Sequence, residues 1–157
     1  MRIYIDTREK PHAIRHILAA FYRAGVEVIH QKLDEGDYKT APDALFSIDR
    51  KQNLSEVVNN LTWDAGRFQR ELRRAKEKGE RLLILVDNCP GIRCVEDVAR
   101  WNNSRCRDSP KAVSGPHLCK MMLMYSAQYG IEWRFSDGTN TGSDIIRILS
   151  EQAEGSE

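Results

Sequence analysis

The stretch GDYKTAPDALFSIDRK, residues 36–51, decides how the rest of the chain is read. Side chains alternate along a β-strand, so residues two apart share a face. Within Ala44 to Lys51, Phe46 and Ile48 therefore face one way, while Ser47, Asp49 and Lys51 face the other. This predicts a strand whose end carries a carboxylate and an ammonium side by side. Gly36-Asp37 reads as a turn that brings in a second carboxylate. Such a set suits a hard divalent cation and a phosphate, as in metal-dependent phosphodiester hydrolysis. The same spacing also fits a plain hairpin with a solvated turn and a surface ion pair, because both motifs are short.

Upstream, residues 2–6 (RIYID) read as a strand ending at Asp6. Asp6, Arg8 and Glu9 then stand at the C-terminal end of that strand, where sites in open α/β sheets gather. The bland alternative is a helix N-cap with an acid favoured by the helix dipole. Pro11 suits a first helical turn, and Ile14, Ile17, Leu18 and Phe21 follow at helical spacing up to Gly25. Residues 26–33 predict a second strand. Tyr38–Thr40 and Ala44–Lys51 predict a hairpin across Ala41-Pro42-Asp43.

Downstream, helices are expected over 53–61 and 64–79, and a strand covered on both faces over Arg81–Val86 (RLLILV). Residues 88–113 read as irregular, with one short helix around 95–101. A Met-rich helix over 114–129, a strand over 131–135 and a helix over 143–151 complete the pattern, with Thr141 or Ser143 as the last N-cap. Interleaved strands and helices give an α/β class with a mixed sheet. One domain over 1–152 and a frayed tail over 153–157 are expected.

With 24 Lys plus Arg against 23 Asp plus Glu, net charge makes no case for nucleic acid, so any case rests on local patches. The segment from Arg67 to Arg81 holds seven basic and three acidic residues. Arg67, Arg70 and Arg74 run along a face away from the apolar stripe of Phe68, Leu72 and Ala75, which suits a DNA backbone. Its distal half equally fits a solvated face with i,i+4 pairs. No run approaches the roughly 18 apolar residues of a membrane span, and the N-terminus is unlike a signal peptide. A cytoplasmic protein with reduced cysteines is expected. Cys89, Cys94, Cys106 and Cys119 are spaced too irregularly for a zinc motif. A nucleotide-binding reading of LLILVD fails for want of a Gly-rich loop between strand and helix.

In order, IDTRE, EGDY, IDRK, a GRF-type turn, LLILVD and the closing YGIEWRFSDGTNTGSDIIRIL resemble the nuclease domain of the XPF/Hef group, a branch of the PD-(D/E)xK superfamily. The resemblance runs from residue 3 to about 150. It implies a restriction-endonuclease-like mixed β-sheet flanked by helices on both faces. It also implies a Mg²⁺- or Mn²⁺-dependent endonuclease for flap, fork or junction DNA, and a homodimer formed through the 114–151 region. Asp37 and Asp49 would be metal ligands, the Arg50 backbone carbonyl would complete the shell, and Lys51 would be the catalytic lysine. Asp6 and Glu9 would support catalysis, with Arg8, Arg67, Arg70 and Arg74 on the DNA.

Three departures stand against that pattern. Asp49 replaces the family's usual Glu and is one methylene shorter. The family acid four residues after the lysine falls at Ser55, with Glu56 one place later. No stretch resembles the tandem helix-hairpin-helix module or helicase of larger members, which implies a small stand-alone form like those of bacteria, prophages and phages. The competing reading is a catalytically silent XPF-like DNA-binding subunit that partners an active nuclease.

Overall fold

Arg81–Val86 is apolar on both faces, and the computed structural model, which describes residues 1–155, makes it an interior strand. The sheet comprises β1 (Arg2–Ile5), β2 (Glu27–His30), β3 (Tyr38–Lys39), β4 (Phe46–Lys51), β5 (Arg81–Val86) and β6 (Glu132–Phe135), in the order β2-β1-β3-β4-β5-β6. β3 runs antiparallel to β1 and β4, and the other pairings are parallel, so the sheet is mixed. In register, Asp49 lies opposite Ile84 and Lys51 opposite Val86.

Alternation along β5 divides the core. Leu83 and Leu85 join Ile3, Ile5, Tyr38 and Ile48 on one face. That face is covered by α1 (Arg15–Arg23) and α5 (Thr141–Glu154), through Ile17, Phe21, Ile145, Ile148 and Leu149. Leu82, Ile84 and Val86 face the other way, against α2 (Leu54–Leu61), α3 (Ala65–Glu77) and α4 (Gly115–Tyr129). Helices therefore cover both faces, as expected from the sequence. Gly142 lets α5 lie close on α1, since a Cβ there would sit 2.5 Å from the Ala20 Cβ and 3.0 Å from the Ile17 carbonyl. Among the described residues, no helix is long and apolar enough to cross a membrane.

Several boundaries differ from the sequence reading. β2 is confined to Glu27–His30, because β1, its partner in the ladder, offers only four residues. The short helix at Val95–Arg100 is of 3₁₀ type. α5 begins at Thr141 after Asn140, and neither Thr141 nor Ser143 caps it. The Thr141 hydroxyl instead donates to Asp87 Oδ1, a buried bond no local pattern announces. α5 also runs through Glu154, so Ala153 and Glu154 belong to a helix rather than a frayed tail. Of that tail, residues 156 and 157 lie outside the described residues.

Beneath the hairpin, Lys39 Nζ lies 2.9 Å from Glu80 Oε1, both side chains about 4% exposed. Ser47 Oγ donates to the same oxygen, and Lys39 Nζ also donates to the Ala44 carbonyl at 3.3 Å. Breaking a buried ion pair by removing one partner strands the other charge. Glu80→Ala is therefore expected to lower unfolding stability by about 3–5 kcal/mol, read from the midpoint of urea denaturation. Removing both partners, with Lys39→Met added, should recover most of that loss.

Candidate active site

The end of β4 gathers the chemistry. Asp49 and Lys51 project toward the α2/α3 face and are almost buried, with 4% and 8% of their surface exposed. Lys51 Nζ lies 3.1 Å from Asp49 Oδ2 and 4.9 Å from the Phe68 ring centroid. Apart from that ammonium, the buried Asp49 Oδ2 has no hydrogen-bond partner among the described residues. A buried carboxylate oxygen is a natural ligand for a cation.

Asp37 reaches the same place from the turn before β3. Its amide donates to the Ile48 carbonyl at 2.7 Å, and its Oδ2 accepts from the Arg50 amide at 2.8 Å. Gly36 makes this possible. It has φ +70°, and a Cβ there would lie 2.6 Å from the Ser47 Cβ. Only glycine combines that left-handed backbone with so close an approach to β4. An amide and carbonyl of one strand residue point to the same edge, so the Arg50 carbonyl lies on the edge of β4 from which its amide meets Asp37.

Burial raises the Asp37 carboxyl well above the usual carboxylate range, and the charges of Asp49 and Glu9 raise it further. Burial opposes the charged form of Lys51, but Asp49 and Asp37 outweigh it and hold the ammonium above its usual range. The charged form of Asp37 is thus disfavoured beside Asp49, and the Lys51 ammonium is the cation that faces them both.

Around them lies a cleft of about 340 Å³, lined among others by Arg8, Glu9, Glu56, Asn60, Arg67 and Glu71. Glu71 and Asn60 were missed by the sequence reading. Glu71 lies four residues after Arg67 and so on the same helical face. Burial and the charge of Asp49 push its carboxyl upward. Asn60 interrupts the buried stripe of Leu54, Val57 and Leu61, and its Oδ1 has no hydrogen-bond partner. A polar residue on an apolar stripe was the available signal.

The other expected site residues divide. Arg8 and Arg67 line the cleft. Glu9 lines it too, but its carboxylate accepts from Arg50 Nε at 2.9 Å and from the Tyr38 hydroxyl at 3.1 Å. Asp6 is fully buried outside the cleft. It accepts from the Leu33 amide at 2.7 Å, from the Arg8 amide at 3.0 Å and from the Arg8 guanidinium. Burial would raise its pKa, but these hydrogen bonds hold it below the usual range. Asp6 therefore acts as a brace. Arg70 is exposed and lies outside the cleft, while Arg74 Nε pairs with buried Glu35 at 3.2 Å. Ser55 is exposed, and Glu56 ties down the start of α2, its carboxylate accepting from the Gln52 amide while the N-cap Asn53 side chain accepts from the Glu56 amide.

The comparisons with known proteins converge on one family. The ERCC4 domain model matches residues 5–149. The chain belongs to the ERCC4 domain family. Its fold is that of the XPF nuclease domain. XPF from Aeropyrum pernix superposes with a TM-score of 0.67 at 25% identity, over 98% of this chain and 65% of that one. XPF from Aeropyrum pernix in complex with DNA does so equally, over 98% of this chain and 66% of that one. The chain thus spans just under two thirds of the XPF chains it matches. No curated protein matches significantly.

ERCC4 nucleases are generally dependent on a divalent metal. Among the described residues there is no group of three or more His, Cys, Asp or Glu arranged to hold a metal. Mg²⁺, however, is commonly held by only one or two carboxylates with its own waters. Asp37 and Asp49, with the Arg50 carbonyl on the edge of β4 next to Asp37, supply such a donor set.

The direction of the Asp37 shift has a measurable consequence. A carboxyl with a raised folded-state pKa contributes stability at low pH that is lost as pH rises through that folded value. In chelator, Asp37→Asn should therefore melt above the parent at pH 8, with the advantage shrinking as pH falls toward 4. Differential scanning calorimetry across that range checks it, and an advantage independent of pH would contradict the assignment.

Proposed function

We propose that the chain is a cytoplasmic, Mg²⁺- or Mn²⁺-dependent DNA endonuclease that hydrolyses phosphodiester bonds at flaps, forks or junctions in recombination or repair. The observation that carries this reading is the convergence of Asp37, Asp49 and Lys51 in an open cleft, with Asp49 Oδ2 buried beside Lys51. Membership of the ERCC4 family supports it, as does the likeness to an XPF solved with DNA.

In this reading Asp37, Asp49 and the Arg50 carbonyl hold the metal. A bound Mg²⁺ supplies an activated water and relieves charge on the phosphate. Lys51 stands beside Asp49 to orient the attacking water or to meet charge that develops on the phosphate oxygens. Its seat over Phe68 limits the ammonium to one side of the cleft. Arg67 and Arg8 attract the backbone of the strand, and exposed Arg70 extends that attraction along α3.

Lys51→Ala and Asp49→Asn should each reduce single-turnover cleavage of a labelled flap in Mn²⁺ by about 100-fold or more. Cleavage that survives both substitutions would remove the site assignment. The second reading, a silent DNA-binding subunit, is favoured by the loss of the family acid at Ser55. DNA binding without cleavage by the parent in either metal would establish it.

A homodimer through residues 114–151 is part of the proposal. On α4, Met124 is 61% exposed and Leu123 is also exposed. Met124→Glu should shift the protein from dimer to monomer in sedimentation velocity. An unchanged sedimentation coefficient would exclude α4 from the contact.

A further inference from the structure

We propose that Trp63, on the turn that leads into α3 one helical turn before the cleft-lining Arg67, is a stacking platform for an unpaired nucleobase, and thereby a determinant of preference for branched over intact duplex DNA. The inference rests on the DNA nuclease reading above and adds a residue to it.

Trp63 is 90% exposed, the most exposed of the large apolar side chains. The other two tryptophans are not comparable. Trp133 is buried with its indole N–H on the Met122 carbonyl at 3.0 Å, and Trp101 is partly buried. A side chain of this size gains from burial, and a local route to burial exists. Trp63 immediately precedes Asp64, the N-cap of α3, so an apolar staple to Phe68 four residues into the helix is the ordinary outcome. Here the staple is not made. Phe68 is stacked on Tyr125 with centroids 6.0 Å apart, and it carries the Lys51 ammonium over its ring. The phenyl group that would have covered the indole is committed to the candidate catalytic lysine. Departures from a local rule gather at functional positions.

The indole also stands on a rigid base. The Asp64 amide donates to the Asn59 carbonyl at 2.9 Å, and the Thr62 amide to the same oxygen at 3.3 Å. Thr62 Oγ1 donates to the Val58 carbonyl at 2.7 Å, and Arg67 pairs with Asp64 at 3.1 Å. The turn that bears Trp63 is thus tied to α2 on one side and to α3 on the other. Four residues later, Arg67 lines the cleft that holds Asp37, Asp49 and Lys51.

Charge and stacking read different features of a strand. Arg67 and Arg70 attract any phosphate backbone, single or double. A flat indole accepts any base by its face, whatever the sequence, but only a base that has left its own stack can lie on it. Unpaired nucleotides at a flap or fork meet that condition, and a continuous duplex does not.

The test is binding of the full chain to a labelled flap and to a blunt duplex of equal length, with Ca²⁺ replacing Mg²⁺, by fluorescence anisotropy. Trp63→Ala is expected to weaken flap binding about tenfold, to change duplex binding less than about twofold, and to leave the sedimentation coefficient unchanged. Trp63→Phe is expected to keep most of the flap affinity. Flap binding should quench the parent's tryptophan emission, and Trp63→Phe should lose that quenching. Unchanged flap affinity in Trp63→Ala, an equal loss on both DNAs, or a shift to a smaller sedimenting species would each overturn the inference while leaving the nuclease reading standing. Failure of the parent to bind either DNA would overturn both.

Discussion

A buried guanidinium holds this molecule's site together. Arg50 is the residue of β4 between Asp49 and Lys51, and alternation sends its side chain to the opposite face of the sheet. There it pairs with Glu9 at 2.9 Å and with Asp87 at 3.2 Å, about 7% exposed. Burial opposes its charge, but the hydrogen bonds and charge of Glu9, with Asp87 behind, hold it firmly protonated. Glu9 also takes the Tyr38 hydroxyl, and Asp87 takes His16 Nε2 at 3.3 Å, the Thr141 hydroxyl and the Asn88 amide. One cation therefore connects the exits of β1 and β5, the start of β3, and the helices α1 and α5. The side chains on the cleft face depend on it, because they share its strand.

This arrangement separates two kinds of acid near the site. Asp6, Glu9 and Asp87 are satisfied by donors from the protein and serve as braces. Asp37, Asp49 and Glu71 lie around the open cleft, and the carboxyl groups of Asp37 and Glu71 are pushed upward by burial and by one another's neighbours. The braces fix the strand ends, and the second set lines the cleft. Brace and cleft are thus divided between the two faces of one strand end, within a few residues of sequence.

The cleft wall repeats that economy on α3. Phe68 anchors the helix to the core beneath the sheet while its ring carries Lys51. Arg67 and Glu71, on either side of it in sequence, line the cleft. Arg74 and Lys78, farther along, turn to the buried carboxylate of Glu35 at 3.2 and 3.4 Å and so serve the fold. The basic run from Arg67 to Arg81 is therefore two features, a start that reaches the cleft and an end that serves the fold.

The sequence by itself determined most of the elements and the pairing of Asp49 with Lys51 on one face of β4. Periodicity of two made β4 a strand with Asp49 and Lys51 on one face, and a continuous apolar run made β5 an interior strand. These are local consequences of backbone geometry, so they can be read without knowing the fold. Tertiary structure alone decided which acids became braces and which were left to the cleft. Asp6 and Glu9 looked equivalent in IDTRE, yet one meets the Leu33 amide and the other the Arg50 guanidinium, partners 27 and 41 residues away. The uncovered Trp63 was hidden for the same reason. Whether a polar or apolar group is satisfied depends on what the sheet brings beside it, and that is a property of long-range packing.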